Sequence, residues 1–375
     1  MAIHRLGGAG DADRAARAAA WLERHANADG GWGDTADSPS NPSTTLLAWA
    51  AMSVLAPDSP ALPRAATWIE ARIGTTAPAD IARAVLAAYG DDRTFSVPIL
   101  TFCALSGCLG PEPGAWRGVP QLPFELAAVP RRFYAAIRLP VVSYALPALI
   151  AIGIVRHRRA PSRNRVLRGL REAWTPRALE LLVRLQPSGG GFLEAAPLTG
   201  FVAVGLAGCG LADHPVARRA GGFLRATQRA DGSWPIDTDL AMWVTTGAAS
   251  ALAAADPAGE AWPAEARRTL RRWILDRQFR DVHPFTGAAP GGWGWTDLSG
   301  AVPDADDTAG ALLALRALGP PDDEVLRAAA AGARWLLDLQ NRDGGLPTFC
   351  RGWGRLPFDR SCPDQIGRAS CRERV

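Results

Sequence analysis

The chain has 375 residues, a formal net charge of +4 and 48% hydrophobic residues. This length allows two domains with substantial cores. The small net charge, without a basic stripe among aromatic residues, argues against a nucleic-acid-binding protein. The 39 Gly and 30 Pro interrupt Ala-rich apolar runs, a pattern that predicts many helices joined by marked turns.

The N-terminus and the cysteines indicate a cytosolic setting. Residues 1–8 lack the apolar core of a secretory signal peptide. The six Cys form neither a Cys-x-x-Cys pair nor a compact Cys/His cluster. We therefore expect reduced, mostly buried thiols.

A repeat with a period near fifty residues runs along the chain. Each copy has an aromatic residue or Leu, then Gln five residues later, then a turn of Gly followed by an aromatic residue or Leu. The copies begin at Trp21, Leu181, Phe223, Trp273 and Trp335; the first has Ala26 in the place of Gln, and the fourth has an insertion before its turn at Gly291.

Periods of this length indicate stacked supersecondary units. Here the unit is a helix pair, so the predicted fold is all-α, a ring or barrel of paired helices. Apolar helical stretches are expected over Thr44–Leu55, Leu198–Gly208 and Met242–Ala254. The repeated Gln and Trp are expected to tie neighbouring helix ends together, with Gln bonding backbone groups and Trp stacking on it.

One stretch departs from the repeat. Residues 139–155 carry no charge over 17 positions and are bounded by Arg138 and Arg156. The stretch is shorter than a comfortable membrane span and contains two prolines. A buried core helix is therefore expected, and interfacial contact by nearby surfaces is the alternative. The Arg-rich patch Arg156–Arg159, which follows this stretch, is typical either of a solvated helix face or of a surface that contacts a membrane.

The segment from Gly291 to Ala309 carries the strongest chemical signal. Asp304, Asp306 and Asp307 lie between a Gly/Trp turn and an apolar helix expected over 310–318. Carboxylates this close do not all ionise easily once they are desolvated, so at least one proton tends to be held. A simple Asp cap on a helix N-terminus is the structural alternative. A protonated acid beside ionised neighbours suits a reaction that begins by protonating a weak base.

These features together resemble the squalene–hopene cyclases and related class II terpene cyclases. The resemblance rests on the Gly-Gly-Trp turn, on Pro303-Asp-Ala-Asp-Asp-Thr-Ala309 and on the Gln…Gly-x-Trp repeats; Gln121–Pro130 is also similar to the family's Pro-Pro-Glu segment. It spans about residues 10–364 and would cover little more than the N-terminal half of a typical member.

The resemblance implies a two-barrel α/α toroid. Residues 10–240 would form the first barrel, and residues 241–364 an incomplete catalytic barrel. Residues 365–375 fit neither the repeat nor a helix face and are expected to be a non-native tail. If the chain is truncated in this way, we expect the fragment to be inactive.

The resemblance also implies roles for individual residues. Asp306 would be the acid that protonates the terminal alkene, and Asp304 and Asp307 would set its protonation and orientation. Trp295 stands where the family has an aromatic ring that faces early carbocations.

Three further positions match the family's substrate cavity less closely. Trp243 and Tyr144 correspond to cavity aromatics, and Pro197 falls on the family's Gln-Pro turn. Ala196 stands in the place of that Gln. This departure puts polar control of the final cation, and so the product, in doubt.

The implied reaction is class II, protonation-initiated cyclisation of squalene or a similar linear polyprene to a polycyclic triterpenoid. It requires no metal and no other cofactor, because an acid starts it and aromatic faces stabilise the cation. The implied location is the cytoplasmic side of a membrane, with monotopic or peripheral attachment. The expected partners are the polyprenyl substrate and the membrane surface, a homodimer is a possible assembly, and no nucleic acid is expected.

Two alternatives remain open. A class II diterpene cyclase acting on a prenyl diphosphate would use the same Asp-x-Asp-Asp motif. A non-catalytic helical-repeat binding protein would keep the fold alone, but a scaffold does not need three clustered carboxylates beside Trp295. A protein prenyltransferase β-subunit is disfavoured, because it needs Asp, Cys and His zinc ligands and no His lies in a suitable turn.

Overall fold

The computed structural model describes residues 1–90, 93–129, 146–256, 262–284, 286–341 and 344–349. Over these residues the secondary structure is α-helix with three short 3-10 helices and no strand, so the predicted all-α class is confirmed. Trp293 and Asp304 form an isolated β-bridge. The chain divides into two compact units, which among the described residues are 1–129 with 146–236, and 237–349.

The first unit has an inner and an outer set of helices. Helices α3, α6, α7 and α9 pack on one another and contribute much of the largest buried apolar cluster. The remaining helices pack outside them, and α1 contacts α2, α9 and α10. The helix bounds are α1 Ala2–Leu6, α2 Asp11–Arg24, α3 Pro42–Leu55, α4 Ala61–Ile73, α5 Pro78–Tyr89, α6 Arg93–Ser106, α7 Leu146–Arg159, α8 Arg165–Leu185, α9 Ala196–Gly208 and α10 Pro215–Ala226.

The uncharged stretch of residues 139–155 contributes to α7 of the first unit. Ile150, Ile152 and Ile154 are fully buried there, as expected of a core helix, while residues 139–145 lie outside the described residues. Within the described ranges, no helix has both the length and the apolar character needed to cross a membrane.

The second unit contains α11 Ala241–Ala255, α12 Ala264–Asp276, α13 Ala305–Ala317 and α14 Asp323–Leu339. Helices α11 and α13 pack along each other, and α13 also contacts α12 and α14. The apolar helical stretches that the sequence predicted are present as α3, α9, α11 and α13.

Short side chains fix where several helices begin. The Asn41 side chain accepts a hydrogen bond from the Thr44 N–H at 2.9 Å, and Pro42 occupies the first position of α3, where no N–H is needed. Asp322 accepts a hydrogen bond from the Val325 N–H at 2.9 Å and starts α14 in the same way. The local sequence therefore sets these boundaries before tertiary packing acts on them.

The predicted role of the repeated glutamines is confirmed at Gln186, Gln228 and Gln278. The side-chain amide of Gln278 donates to the carbonyl of Gly291 at 2.8 Å and to that of Ala328, in α14, at 2.9 Å. Gln186 and Gln228 likewise donate to two carbonyls each, one in their own turn and one in a helix. Each amide thus joins a turn to a neighbouring helix.

The turn tryptophans also form hydrogen bonds. The indole N–H groups of Trp32 and Trp234 donate to the carbonyls of Leu22 and Leu224, at 2.9 and 2.7 Å. Each ring is thereby held against the helix that precedes its turn. The predicted stacking of Trp on Gln stays a prediction.

Four turns press a glycine against a helix in the same manner. A β-carbon added at Gly291 would lie 2.8 Å from the carbonyl oxygen of Ala331 in α14. A β-carbon added at Gly30 would lie 2.8 Å from the carbonyl oxygen of Arg64. At Gly190 it would lie 2.6 Å from that of Arg219, and at Gly232 it would lie 2.5 Å from that of Arg17. The last contact joins the final turn of the first unit to α2, so the first unit closes on its own N-terminal helices.

The turn at Gly30 lacks its glutamine, and this predicts a stabilising substitution. Ala26→Gln should supply hydrogen bonds to Gly30 and Ala61 and raise the free energy of unfolding by about 1 kcal/mol. Gln186→Ala should lower it by about 2 kcal/mol, because it leaves two buried carbonyls without that donor. Urea denaturation of the two variants and the wild type measures both changes; a loss of stability in Ala26→Gln would contradict the equivalence of the turns.

Candidate active site

The turn at Gly291 crosses the start of α13 and is held there by Thr308. The Trp293 N–H donates to Thr308 Oγ1 at 2.9 Å, and the Asp304 N–H donates to the Trp293 carbonyl at 3.0 Å. The indole N–H of Trp293 donates to the Ile274 carbonyl at 2.8 Å, and its ring is fully buried. The repeat scaffold therefore fixes the position of the Asp-rich segment.

The same turn also caps α11. The Trp295 carbonyl accepts hydrogen bonds from the N–H groups of Met242 and Trp243, at 3.0 and 3.2 Å. Trp295 is two residues after Trp293, which bridges to Asp304. The N-terminal ends of α11 and α13 consequently lie at the same end of this unit, where helix dipoles place partial positive charge.

Two of the three motif carboxyls are buried at the first turn of α13. Asp304 is 2% exposed and Asp307 is 5% exposed. Asp304 caps the helix, because its Oδ1 accepts the Asp307 N–H at 2.8 Å. Asp304 Oδ2 and Asp307 Oδ1 are buried and have no hydrogen-bond partner among the described residues. The capping alternative is thus correct for Asp304, but it leaves two carboxyl oxygens unexplained.

The pKa values of these two carboxyls are both shifted upward, toward protonation. Burial raises the pKa of Asp304 well above its usual value, and repulsion from Asp307 and Asp306 adds to this rise. Burial, with repulsion from Asp306, raises the pKa of Asp307 to about 6. The expectation that clustered carboxyls hold a proton is therefore supported here.

Asp306 itself is exposed, unlike its two neighbours. It projects from the first turn of α13, and Leu313, seven residues later on the same helical face, is 60% exposed. On the first turn of α11, Trp243 and Val244 are 59% and 63% exposed. Side chains from both helices thus leave apolar surface uncovered in the unit that carries the exposed carboxyl.

Trp295 is half-buried and contacts a residue that the sequence did not single out. Its ring lies edge-on to Phe349, with the centroids 6.2 Å apart. The segment that carries Phe349 reaches the start of α13, because the Ala305 N–H donates to the Thr348 carbonyl at 2.9 Å. The indole N–H of Trp295 is buried and has no partner among the described residues. No repeat or motif marks Phe349, so only its position in space could identify it.

Two predicted site residues, Pro197 and Tyr144, do not belong to the described part of the second unit. Pro197 lies in the first turn of α9, in the first unit, next to Ala196, whose N–H donates to the Ile236 carbonyl at 2.9 Å. Tyr144 lies outside the described residues. In the segment similar to the Pro-Pro-Glu motif, Glu125 is buried and forms an ion pair with Arg171 at 3.0 Å.

The raised carboxyl pKa values predict how stability depends on pH. A folded-state pKa above the unfolded value means that stability is greatest below about pH 4 and falls as the pH rises through 6. Asp307→Asn should flatten this fall and raise the free energy of unfolding at pH 7.5 by about 1 to 3 kcal/mol. Urea denaturation between pH 4 and 8 measures the effect.

Asp338→Asn, which removes an exposed carboxyl from α14, is the control and should keep the wild-type profile. A fall of the same size in the Asp307→Asn variant would show that Asp307 does not hold a proton in the folded protein.

Comparison with known proteins agrees with this geometry. Residues 1–100 match the model of the squalene-hopene cyclase N-terminal domain, and residues 240–355 match that of the squalene-hopene cyclase C-terminal domain. The second match contains the turn at Gly291, Trp295 and the three motif carboxyls. The chain belongs to the squalene–hopene cyclase family. Its all-helical secondary structure is consistent with the α/α barrel predicted from the resemblance.

Three curated relatives show how far the similarity to squalene–hopene cyclases extends. A sporulenol synthase of Bacillus subtilis is 33% identical over 81 residues, which are 20% of this chain and 12% of the relative. A squalene–hopene cyclase of Alicyclobacillus acidocaldarius is 28% identical over 201 residues, 51% of this chain and 30% of the relative. A squalene hopane cyclase of Aspergillus fumigatus is 24% identical over 421 aligned positions, 93% of this chain and 54% of the relative. The chain therefore spans about half of these relatives or less.

Proposed function

We propose that the protein catalyses class II cyclisation of squalene or a similar linear polyprene to a polycyclic triterpenoid. The observation that carries this proposal is the buried pair Asp304 and Asp307, which favours bound protons directly beside the exposed carboxyl of Asp306. Family membership and the names of the relatives support the reaction class.

In the proposed reaction Asp306 donates a proton to the terminal carbon–carbon double bond of the substrate. The resulting cation is attacked by successive double bonds of the same chain, and the final cation loses a proton or takes up water. Asp304 and Asp307 set the protonation and orientation of Asp306, which regains its proton from water between turnovers. When the last step is proton loss, it balances the proton added in the first step, so the composition of the hydrocarbon is unchanged and the reaction is an isomerisation.

The exposed apolar surface supports a hydrocarbon substrate. A polyprene that covers Leu313, Trp243 and Val244 would remove water from them and from Asp306, and a dry acid donates its proton to an alkene more readily.

We assign Trp295 to the wall that faces early cations, because aromatic faces stabilise a cation without bonding to it. Trp295→Ala should increase the share of partly cyclised products in extracts; an unchanged product pattern would return Trp295 to a packing role.

We further propose that residues 10–240 and 241–364 are the two barrel domains, and that the protein attaches peripherally to the cytoplasmic side of a membrane. A substrate that is almost insoluble in water would reach the enzyme from the lipid phase. Sedimentation with membranes and release by mild detergent would support this location. Full recovery in the supernatant without detergent would argue against it.

The test uses the protein with a complete catalytic barrel, because a fragment with an incomplete barrel is expected to be inactive. It is incubated with detergent-dispersed squalene, and the extract is analysed by gas chromatography and mass spectrometry. We expect a cyclic triterpenoid well above the background of the Asp306→Asn variant. A parallel reaction with geranylgeranyl diphosphate tests the diterpene alternative. Product from the diphosphate alone would favour that alternative, and no product from either substrate would overturn the proposal.

A further inference from the structure

The turn at Gly291 differs from the other turns of the repeat by extra residues before its first glycine. In the other four copies three residues separate the Gln position from that glycine, whereas twelve separate Gln278 from Gly291. The extra residues do not change how the turn binds its helix, because Gln278 donates to one turn carbonyl and one helix carbonyl, as Gln186 and Gln228 do. The repeat scaffold therefore does not require them.

Two of the extra residues contact the Asp-rich segment on either side of Asp304. The His283 ring donates from Nε2 to the Ala301 carbonyl at 2.9 Å, three residues before Asp304. Ala288 packs against the buried apolar cluster that includes Ala305, the residue after Asp304. A hydrogen bond of 3.0 Å from the His283 N–H to the Ala288 carbonyl joins the two contacts. These two residues thus hold the backbone before and after the capping residue.

The hydrogen bonds of the His283 ring place its proton on Nε2. Its Nδ1 accepts the Thr286 N–H at 3.1 Å, and a backbone N–H can only donate, so Nδ1 carries no proton. The proton on Nε2 is then directed at the Ala301 carbonyl oxygen. The ring is buried, and the Phe279 ring lies edge-on to it with the centroids 5.2 Å apart. The donor is therefore held in one tautomer and one orientation.

The backbone between Ala301 and Asp304 depends on this donor. Residues 301–303 are buried, and Pro303 has no N–H of its own with which to hold the backbone in place. Without the imidazole, the buried Ala301 carbonyl would either lose its hydrogen bond or draw in water, and both outcomes displace the residues that lead to Asp304. Water admitted there would also hydrate the motif carboxyls whose burial favours bound protons.

From these contacts we propose that His283 is a positioning residue, whose Nε2–H holds the Ala301 carbonyl and thereby keeps Asp304 and Asp307 buried beside Asp306. This inference rests on the proposed function, because it gives His283 a part in preparing the acid for that reaction. Displacement of an acid by about 1 Å can cost about 100-fold in rate. Loss of the Nε2 donor should therefore lower kcat, while KM stays near the wild-type value because the substrate contacts remain.

Two amide substitutions distinguish the two nitrogens of the ring. The longer side chain of His283→Gln places its amide nitrogen near the position of Nε2, where it can donate to the Ala301 carbonyl. In His283→Asn the shorter side chain can accept the Thr286 N–H in the place of Nδ1, but the Ala301 carbonyl loses its donor. We expect His283→Gln to keep kcat within about threefold of wild type and His283→Asn to lower it at least about tenfold.

These rates are measured with detergent-dispersed squalene in the protein with a complete catalytic barrel. His214→Asn is the matched control, because Nδ1 of His214 also accepts a backbone N–H, that of Val216 at 3.3 Å, but in the first unit. This control should keep the wild-type kcat. Circular dichroism and thermal unfolding should show that all the variants are folded.

The pH dependence of stability tests the same contact without any turnover. In the wild type the free energy of unfolding falls as the pH rises through 6, because Asp307, which faces the carboxyls of Asp304 and Asp306, must lose its proton. Urea denaturation between pH 4 and 8 should show this fall in His283→Gln and a flatter profile in His283→Asn. Both variants lack the imidazole, so titration of the ring itself cannot cause a difference between them.

Equal kcat values and equal pH profiles in the two amide variants would overturn the proposal. A loss in His283→Gln as large as that in His283→Asn would also overturn it, because the Nε2 donor would then not be what holds the acid. If His283→Asn fails to fold, His283→Met replaces it, since Met has the length of Gln without the donor. Absence of turnover by the wild type would overturn the proposed function alone, because the pH profiles still decide whether His283 keeps the carboxyls buried.

Discussion

Asp306→Asn is expected to lower cyclisation by about 1,000-fold or more while leaving helical content and thermal unfolding close to wild type. The amide cannot supply the proton that starts the reaction, and general acids contribute about 100- to 10,000-fold in enzymes. Because Asp306 is exposed, no buried contact is lost. Product formation from squalene and circular dichroism measure the two effects separately.

Glu324→Gln is a closely matched control for this variant. Glu324 occupies the second position of α14, after the capping residue Asp322, just as Asp306 occupies the second position of α13 after Asp304. The control removes a carboxylate from the same place in a helix and should leave turnover intact. If Asp306→Asn kept more than a few per cent of wild-type turnover, the proton would have to come from another group.

Gly291→Ala is expected to destabilise the second unit by more than about 3 kcal/mol. Gly291 has a φ of +120°, which L-residues rarely adopt, and a β-carbon there would lie 2.8 Å from the Ala331 carbonyl oxygen. The backbone of α14 would have to move away, weakening the hydrogen bonds of Gln278. Urea denaturation followed by tryptophan fluorescence measures the loss.

Gly319→Ala separates the backbone strain from the contact. Gly319 has a similar φ of +126°, but a β-carbon there would meet no atom within 4 Å. We expect a loss of only about 1 kcal/mol, due to the unfavourable backbone conformation. Equal losses in the two variants would mean that the close approach of Gly291 to the Ala331 carbonyl contributes little to stability.

Much of the scaffold could be predicted from the sequence because its determinants are local. Apolar periodicity located α3, α9, α11 and α13, and the spacing from Gln to Gly anticipated the hydrogen bonds of Gln186 and Gln228 within their turns. The helix that receives each turn could not be derived, since Arg14 and Gln228 are separated by 214 positions. Such partners follow from tertiary packing and have no local signal.

The candidate site was predictable in its residue types but not in its environments. The Asp-rich motif indicated a held proton, and the structure shows that burial of Asp304 and Asp307 favours it. Which carboxyl faces outward depends on how Trp293 and Thr308 hold the start of α13, and no motif encodes that. The contact of Phe349 with Trp295 likewise arises from a loop that the repeat pattern does not describe.

Closure of the first unit on α2 has a consequence for how the chain folds during synthesis. The carbonyls of Arg14 and Arg17 await a turn that leaves the ribosome more than two hundred residues later. Contacts of such high sequence separation form slowly, because a long loop must close before they contribute. The earliest helices therefore emerge before their final partners exist, and their apolar faces stay uncovered until Gln228 and Gly232 arrive.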